Sequence, residues 1–148
     1  MALLEIKNLS FSYSGAENSA LENINLTVEQ GDFVLLCGES GCGKTTLLKL
    51  LKKQLRPNGT LTGEITYNGV NVDNLDERTS VCEIGYVMQN PENQTVTDKV
   101  WHELAFGLES LGEKTPIIRR KVAEICGFFG IGEWYHKRTS ELSGGQKQ

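Results

Sequence analysis

The sequence has no apolar run approaching the roughly 20 residues that a membrane-crossing helix needs. It also has no surplus of positive charge. Lys and Arg total 15 against 19 Asp and Glu, a formal net charge of −4, so no global positive field draws in DNA or RNA. The basic cluster Lys49, Lys52, Lys53 and Arg56 reads as a solvated face complementing a helix C-terminus, not as a nucleic-acid patch. Cysteine is sparse, and Cys37, Cys42, Cys82 and Cys126 lack metal-ligand spacing, which predicts reduced, unpaired thiols. Met1 to Leu4 have no basic flank and meet Glu5 at once, so no cleaved leader is expected. Internal repeats and low-complexity tracts are absent too. These absences predict an intracellular chain of one domain, linked to any membrane only through a partner, in which the Asn25-Leu26-Thr27 sequon is a chance match.

What is present centres on Gly38-Glu39-Ser40-Gly41-Cys42-Gly43-Lys44-Thr45, a G-x-x-x-x-G-K-[ST] match. The apolar run Phe33-Val34-Leu35-Leu36-Cys37 before it predicts a buried strand. Thr46 to Leu55 after it predicts a helix striped by Leu47, Leu48, Leu51 and Leu55. Strand, glycine-rich loop and helix together make the match specific. Gly38, Gly41 and Gly43 allow a tight turn whose N–H groups face phosphate oxygens without an intervening Cβ. The helix start adds its positive dipole end. Lys44 is placed to reach β- and γ-phosphates, and the Thr45 hydroxyl to ligate Mg²⁺. This stretch reads as a nucleotide phosphate site.

The rest of the chain divides by periodicity. Leu4 to Lys7 and Leu9 to Tyr13 alternate apolar and polar residues, with a phase slip near Asn8, and Ile24 to Val28 alternates again. These are antiparallel strand candidates with one wet face. Glu64 to Tyr67, Asn68-Gly69 and Val70 to Val72 read as a hairpin through an Asn-Gly turn. Asp73 to Ser80 is loop-like or a short helix, and Ile84 to Met88 predicts a second short buried strand ending at Gln89. Thr97 to Leu111 turns helical, with Val100, Trp101, Leu104, Ala105, Leu108 and Leu111 on one face. A further helix opens at Thr115-Pro116, buries Ile118, Val122 and Ile125, and is ended by Gly127 and Gly130. His102 and His136 stand far apart in sequence with no ligand at metal spacing, so surface or structural roles are expected.

Near the end, Leu142-Ser143-Gly144-Gly145-Gln146 offers a serine N-cap and exposed amides at a helix start. With the upstream phosphate loop, this pentapeptide makes the whole chain resemble the nucleotide-binding subunits of ATP-binding cassette (ABC) proteins. The resemblance implies an α/β P-loop NTPase fold of ABC type. Residues 1–89 would be an antiparallel β subdomain with the phosphate loop, 90–141 the Q-loop and a helical subdomain, and 142–148 the signature. It implies ATP and Mg²⁺ as ligands, contacted by Tyr13, Gly38, Ser40, Gly41, Cys42, Gly43, Lys44, Thr45 and Thr46. Tyr13 would stack on adenine. Gln89 would contact Mg²⁺ or the attacking water, and Thr45 would ligate the metal. Ser143, Gly144, Gly145 and Gln146 would close in trans on a neighbouring subunit's γ-phosphate. Lys44, Gln89 and Ser143 are thereby the catalytic candidates. The expected partners are a transmembrane transporter subunit and a second ATPase subunit, identical or different, with no nucleic acid. The expected location is cytoplasmic, peripheral on the inner face of the cell membrane.

Gln89-Asn90-Pro91-Glu92-Asn93-Gln94 and Ala105-Phe106-Gly107-Leu108-Glu109 look more narrowly like the ATPases of energy-coupling factor and cobalt-type importers, which take up vitamins or transition metal ions. Two other readings stay open: a non-transport ABC ATPase, and a nucleotide-binding module without turnover. The interval between phosphate loop and signature holds no sustained heptad, as a repair-type coiled coil would require. Family members carry an apolar strand ending in Asp-Glu after the signature, and these 148 residues contain no such run. The C-terminal part of the family's core is therefore expected to be missing. Phosphate release from Mg-ATP by the purified 148-residue chain should stay near background, since nothing assigned here polarises the attacking water. Steady turnover abolished by Lys44→Ala would overturn that expectation.

Overall fold

The computed structural model describes residues 2–90 and 93–147. Pro91 and Glu92 of the Gln89-to-Gln94 stretch, and Gln148 of the signature segment, lie outside the described residues. Contacts divide the chain into two compact units, one running to Tyr86 and the other starting at Val87.

The first unit is built on a four-stranded antiparallel sheet in the order β2-β1-β3-β4. Its strands are β1 (Ala2–Tyr13), β2 (Leu21–Glu29), β3 (Gly59–Tyr67) and β4 (Val70–Asn71). Strand side chains alternate faces, so one buried face should show a spacing of two. In β1 the buried residues are Ile6, Leu9 and Phe11, a spacing of three and then two. The extra residue is taken up at Asn8, which adopts φ 48 where both ladders of β1 shift register. Its N–H donates to the Asn25 side-chain oxygen at 2.8 Å, so the bulge leaves no orphaned donor there. Gly63 faces the bulge at φ 88, and a Cβ there would stand 2.4 Å from the Asn8 carbonyl oxygen. The Asn68-Gly69 turn has both residues at positive φ, 49 and 78, as a two-residue hairpin of type I′ demands.

Against this sheet pack Leu47 and Leu50 of α1 (Lys44–Leu50), forming one core with Ile6, Leu9, Phe11, Leu21, Ile65 and Val72. The helix stops short of the Leu55 that periodicity predicts. Residue 52 turns extended, and a separate 3₁₀ turn covers Lys53–Leu55. Leu48 is exposed, and the buried face is Thr46, Leu47 and Leu50. The break has a partner elsewhere: the Lys52 ammonium donates to the carbonyls of Ser80, at 3.3 Å, and of Ile84. These carbonyls lie at the end of α2 (Glu77–Glu83), where helical C=O groups lack internal partners. Asp76 caps the other end, accepting from the Thr79 N–H at 2.9 Å, and its hydrogen bonds with Thr79 hold its carboxyl below the usual range.

Two expected buried strands are corrected here. Phe33 to Cys37 and Ile84 to Met88 belong to no ladder among the described residues. Phe33 is 92% exposed, Leu35 73%, and Val87 and Cys37 are exposed as well. An apolar run reports that its side chains gain from leaving water. A strand also needs a neighbouring backbone, and no described segment supplies one to either run.

The second unit is helical: α3 (Val100–Ser110), α4 (Thr115–Phe129) and α5 (Gly144–Lys147). Ala105 of α3 packs on Ile118, Val122 and Cys126 of α4, with Leu104, Leu108, Ile131 and Tyr135 around them. The stripe of α4 thus passes through Cys126, while Ile125, expected inside, is exposed. Pro116 lies in the first turn of α4, Gly130 ends it at φ 65, and Gly127 lies within the helix instead of ending it. The Glu103 carboxylate accepts from the amides of Val96 and Thr97 and from the Thr97 hydroxyl, pinning the segment ahead of α3. The Thr139 hydroxyl, donating to the Thr97 carbonyl at 3.0 Å, ties the segment before the signature to the same place.

Gly63→Ala should destabilise the chain by about 2 kcal/mol or more, since a side chain at that φ collides with fixed backbone. A urea melt followed by far-ultraviolet circular dichroism measures it, and an unchanged midpoint would contradict the bulge geometry. Cys37, Cys42 and Cys82 are exposed and Cys126 is buried, with its thiol pushed up by desolvation. A colorimetric thiol titration at neutral pH should therefore show a fast phase for Cys37, Cys42 and Cys82 and a slow one for Cys126.

Candidate functional site

The glycine-rich loop is seated by its last glycine. Gly43 has φ 93, and a Cβ there would lie 2.7 Å from the Ala20 carbonyl oxygen and 2.8 Å from a Leu21 methyl carbon. Glycine alone brings the loop onto the start of β2 and turns it into α1. No side chain caps α1, so its leading N–H groups remain available as donors. The Lys44 ammonium folds back into the loop. It donates to the carbonyls of Gly38 at 2.8 Å and Glu39 at 2.7 Å, and lies 3.5 Å from the Cys42 sulfur. A lysine has three donors, and this loop meets all three itself.

Tyr13 enters the same place from the end of β1. Its ring stands edge-on to the buried Phe11, with centroids 5.0 Å apart and planes at 81°. Its hydroxyl is 2.7 Å from the hydroxyl of Thr46, which is only 8% exposed. The first unit thus gathers Tyr13, Gly38, Ser40, Gly41, Cys42, Gly43, Lys44, Thr45 and Thr46 around the start of one helix. The hydroxyl pair and the Glu39 carbonyl were missed by sequence reasoning. No local signal points to them, because they arise from how β1 and α1 meet.

The second unit carries the other candidates. Gln89 is exposed in a bend, not at a strand end as expected. Beside it the Gln94 side chain accepts from the Met88 N–H at 2.8 Å. Ser143 and Gln146 cap each other: the Ser143 N–H donates to the Gln146 side-chain oxygen at 2.9 Å, and the Gln146 N–H to the Ser143 hydroxyl at 3.4 Å. The S-x-x-Q spacing of a capping box is a signal that could have revealed this role for Gln146. Ser143, Gly144 and Gly145 are exposed. The histidines prove closer neighbours than their sequence positions suggest. His102 stacks on Trp101 and His136 stands edge-on to Tyr135, while Trp101 and Tyr135 face each other at 6.5 Å. A carboxylate of Glu109 lies 3.6 Å from His102. Among the described residues no group of three or more His, Cys, Asp or Glu could hold a metal ion.

The chemistry of the loop suits an anion. The Lys44 ammonium, the Thr45 hydroxyl and the uncapped amides at the start of α1 are donors, while Glu39 adds the loop's one carboxylate. A Cβ at Gly41 would meet nothing within 4 Å, so the loop is open there. The exposed Thr45 hydroxyl offers one oxygen to a divalent cation. That suits Mg²⁺, which takes one or two protein ligands and fills its remaining positions with phosphate and water.

A family profile described as "ABC transporter" matches residues 21–148. A putative ABC transporter ATP-binding protein of Bacillus anthracis is 49% identical over 148 residues, covering 100% of this chain and 27% of that protein. A cobalt import ATP-binding protein, CbiO, of Syntrophus aciditrophicus is 37% identical over 150 residues, covering 99% of this chain and 51% of that one. The structure of cbiO1 from Clostridium perfringens, described as part of the ABC transporter complex cbiONQ, superposes with a TM-score of 0.81 at 28% identity. It covers 99% of this chain and 57% of that one. The chain therefore spans about a quarter to a half of the length of the curated relatives it matches.

Proposed function

The chain belongs to the ABC transporter family, and from that premise we propose that its glycine-rich loop binds ATP with Mg²⁺ to power a membrane transporter. The observation that carries this reading is the Lys44 ammonium, held at 2.7–2.8 Å by two carbonyls of the loop at the uncapped start of α1. The γ- and β-phosphate oxygens of ATP offer Lys44 stronger, charge-assisted partners than neutral carbonyls. Lys44 exchanges Gly38 and Glu39 for phosphate, while the amides of Gly41 to Thr45 take up the remaining oxygens. Thr45 would hold Mg²⁺, which supplies charge neutralisation between the β- and γ-phosphates. Tyr13 offers its outer ring face to the adenine, a contact that tolerates any base because it uses only the π-face.

For the whole protein, the reading extends to hydrolysis by in-line transfer of the γ-phosphoryl group to water. Gln89 would orient that water or the metal. Ser143 to Gln146 would close on the ATP of a second ATPase subunit, with exposed amides and a hydroxyl preset by the Ser143–Gln146 cap. Residues 1–89, 90–141 and 142–148 are then the phosphate-loop part, the Q-loop with its helical part, and the signature of one ATPase domain. The name of the Syntrophus relative, a cobalt import ATP-binding protein, supports the cobalt-type side of the narrower likeness to energy-coupling factor and cobalt-type importers. We propose a transition metal ion as cargo on that ground, or a vitamin on the motif resemblance alone, carried by a transmembrane partner. Among the described residues no helix is long and apolar enough to cross a membrane. Attachment to the inner face of the cell membrane would accordingly be peripheral.

Lys44→Ala should weaken Mg-ATP binding by about ten- to a hundredfold, the worth of charge-assisted hydrogen bonds lost together. Titration with a fluorescent ATP analogue measures this, with circular dichroism confirming that the variant is folded. Unchanged affinity in a folded variant would refute the assignment of the loop.

A further inference from the structure

We propose that the Tyr13 and Thr46 hydroxyls form a tether that fixes the base of a bound nucleotide relative to its phosphates. On this view the hydroxyl pair, and not the ring alone, sets the preference for a nucleotide over a bare polyphosphate. The proposal rests on the nucleotide-binding reading above.

Tyr13 is held at two points. Its ring makes a T-shaped contact with Phe11, which is buried in the sheet core, and its hydroxyl meets Thr46 at 2.7 Å. With 41% of its surface exposed, it remains accessible to a planar group. Thr46 stands two residues after Lys44 on the first turn of α1, so the tether runs directly into the loop that Lys44 closes. A threonine hydroxyl inside a helix ordinarily bonds back to a carbonyl one turn earlier. That of Thr46 is instead buried and turned to Tyr13 across the fold.

The donor count favours cooperation with a ligand. Each hydroxyl has one proton, and their mutual bond uses only one of the two. When Tyr13 donates to Thr46, the Thr46 proton remains for an oxygen of the ligand on the loop side. A phenylalanine would present the same stacking face, but nothing would register that face against α1. Stacking and phosphate binding would then be two loosely connected events, and the advantage of linking them would shrink.

The experiment is a double-mutant cycle on the 148-residue chain with Tyr13→Phe, Thr46→Val and both together. Affinities are measured by calorimetry for Mg-ATP and for Mg-tripolyphosphate, which has no base. Each single change should weaken Mg-ATP binding about three- to tenfold, the range of one hydrogen bond. The double variant should be no weaker than the weaker single variant, since both remove the same bond. With tripolyphosphate the two effects should simply multiply. Thr46→Ser, which keeps the hydroxyl, should return Mg-ATP affinity to within about twofold of the parent. The tether is overturned if Tyr13→Phe binds Mg-ATP as tightly as the parent or more so, the latter marking a latch that ATP must open. Losses that multiply for Mg-ATP would overturn it too. In all these cases the parent still binds Mg-ATP, and the nucleotide reading stands. A parent chain that binds neither ligand would overturn both.

Discussion

One extra residue in β1 sets the geometry on which the first unit depends. With Asn8 in a left-handed conformation, the strand changes phase and puts Ile6, Leu9 and Phe11 on one buried face while pairing with β2 and β3 together. Without that slip, a strict alternation from Ile6 would bury Asn8 and Ser10 and turn Leu9 and Phe11 to water. Phe11 in turn stands under Tyr13, and β2 begins at Leu21, against which Gly43 seats the loop. The sheet thus carries both the seat of the loop, at the start of β2, and the tyrosine, at the end of β1.

The loop is held by its own backbone carbonyls: that of Glu39 accepts from both the Cys42 N–H and the Lys44 ammonium. Lys44 is satisfied by two backbone carbonyls, which keeps a cation ordered inside a tight turn without fixing it there permanently. Neutral carbonyls are weaker partners than phosphate oxygens, so exchange toward an anion is downhill. The signature segment follows a related principle in the second unit. Ser143 and Gln146 meet each other's backbone N–H groups, so the start of α5 is formed before anything else approaches it.

Several elements were legible in the residues because their causes are local. The Asn68-Gly69 hairpin follows from two residues that tolerate positive φ, and the phase slip at Asn8 is visible as a break in alternation. The helical stretch that became α3 and the proline-opened α4 follow from periodicity and from the fixed φ of Pro116. The loop was named by spacing alone, since glycines and a lysine at those intervals serve few other purposes. Membership of the ABC transporter family was equally legible, because two separate motifs stand in the right order.

Other features were decided only by tertiary structure. Phe33 to Cys37 and Ile84 to Met88 read as buried strands, yet strand formation depends on a partner backbone that hydrophobicity cannot specify. The helix after the loop stops at Leu50, and the side chain of Lys52 just beyond it reaches the carbonyls of Ser80 and Ile84, residues remote in the chain. The Tyr13–Thr46 hydroxyl contact joins residues on separate elements and follows from the register of β1 against the core. Sequence by itself determined the Asn68-Gly69 hairpin, the phase slip at Asn8 and the helices α3 and α4, because each is written in neighbouring residues. Tertiary structure alone decided where strands pair, where the first helix ends and which hydroxyl holds the tyrosine, because those depend on distances between residues remote in the chain.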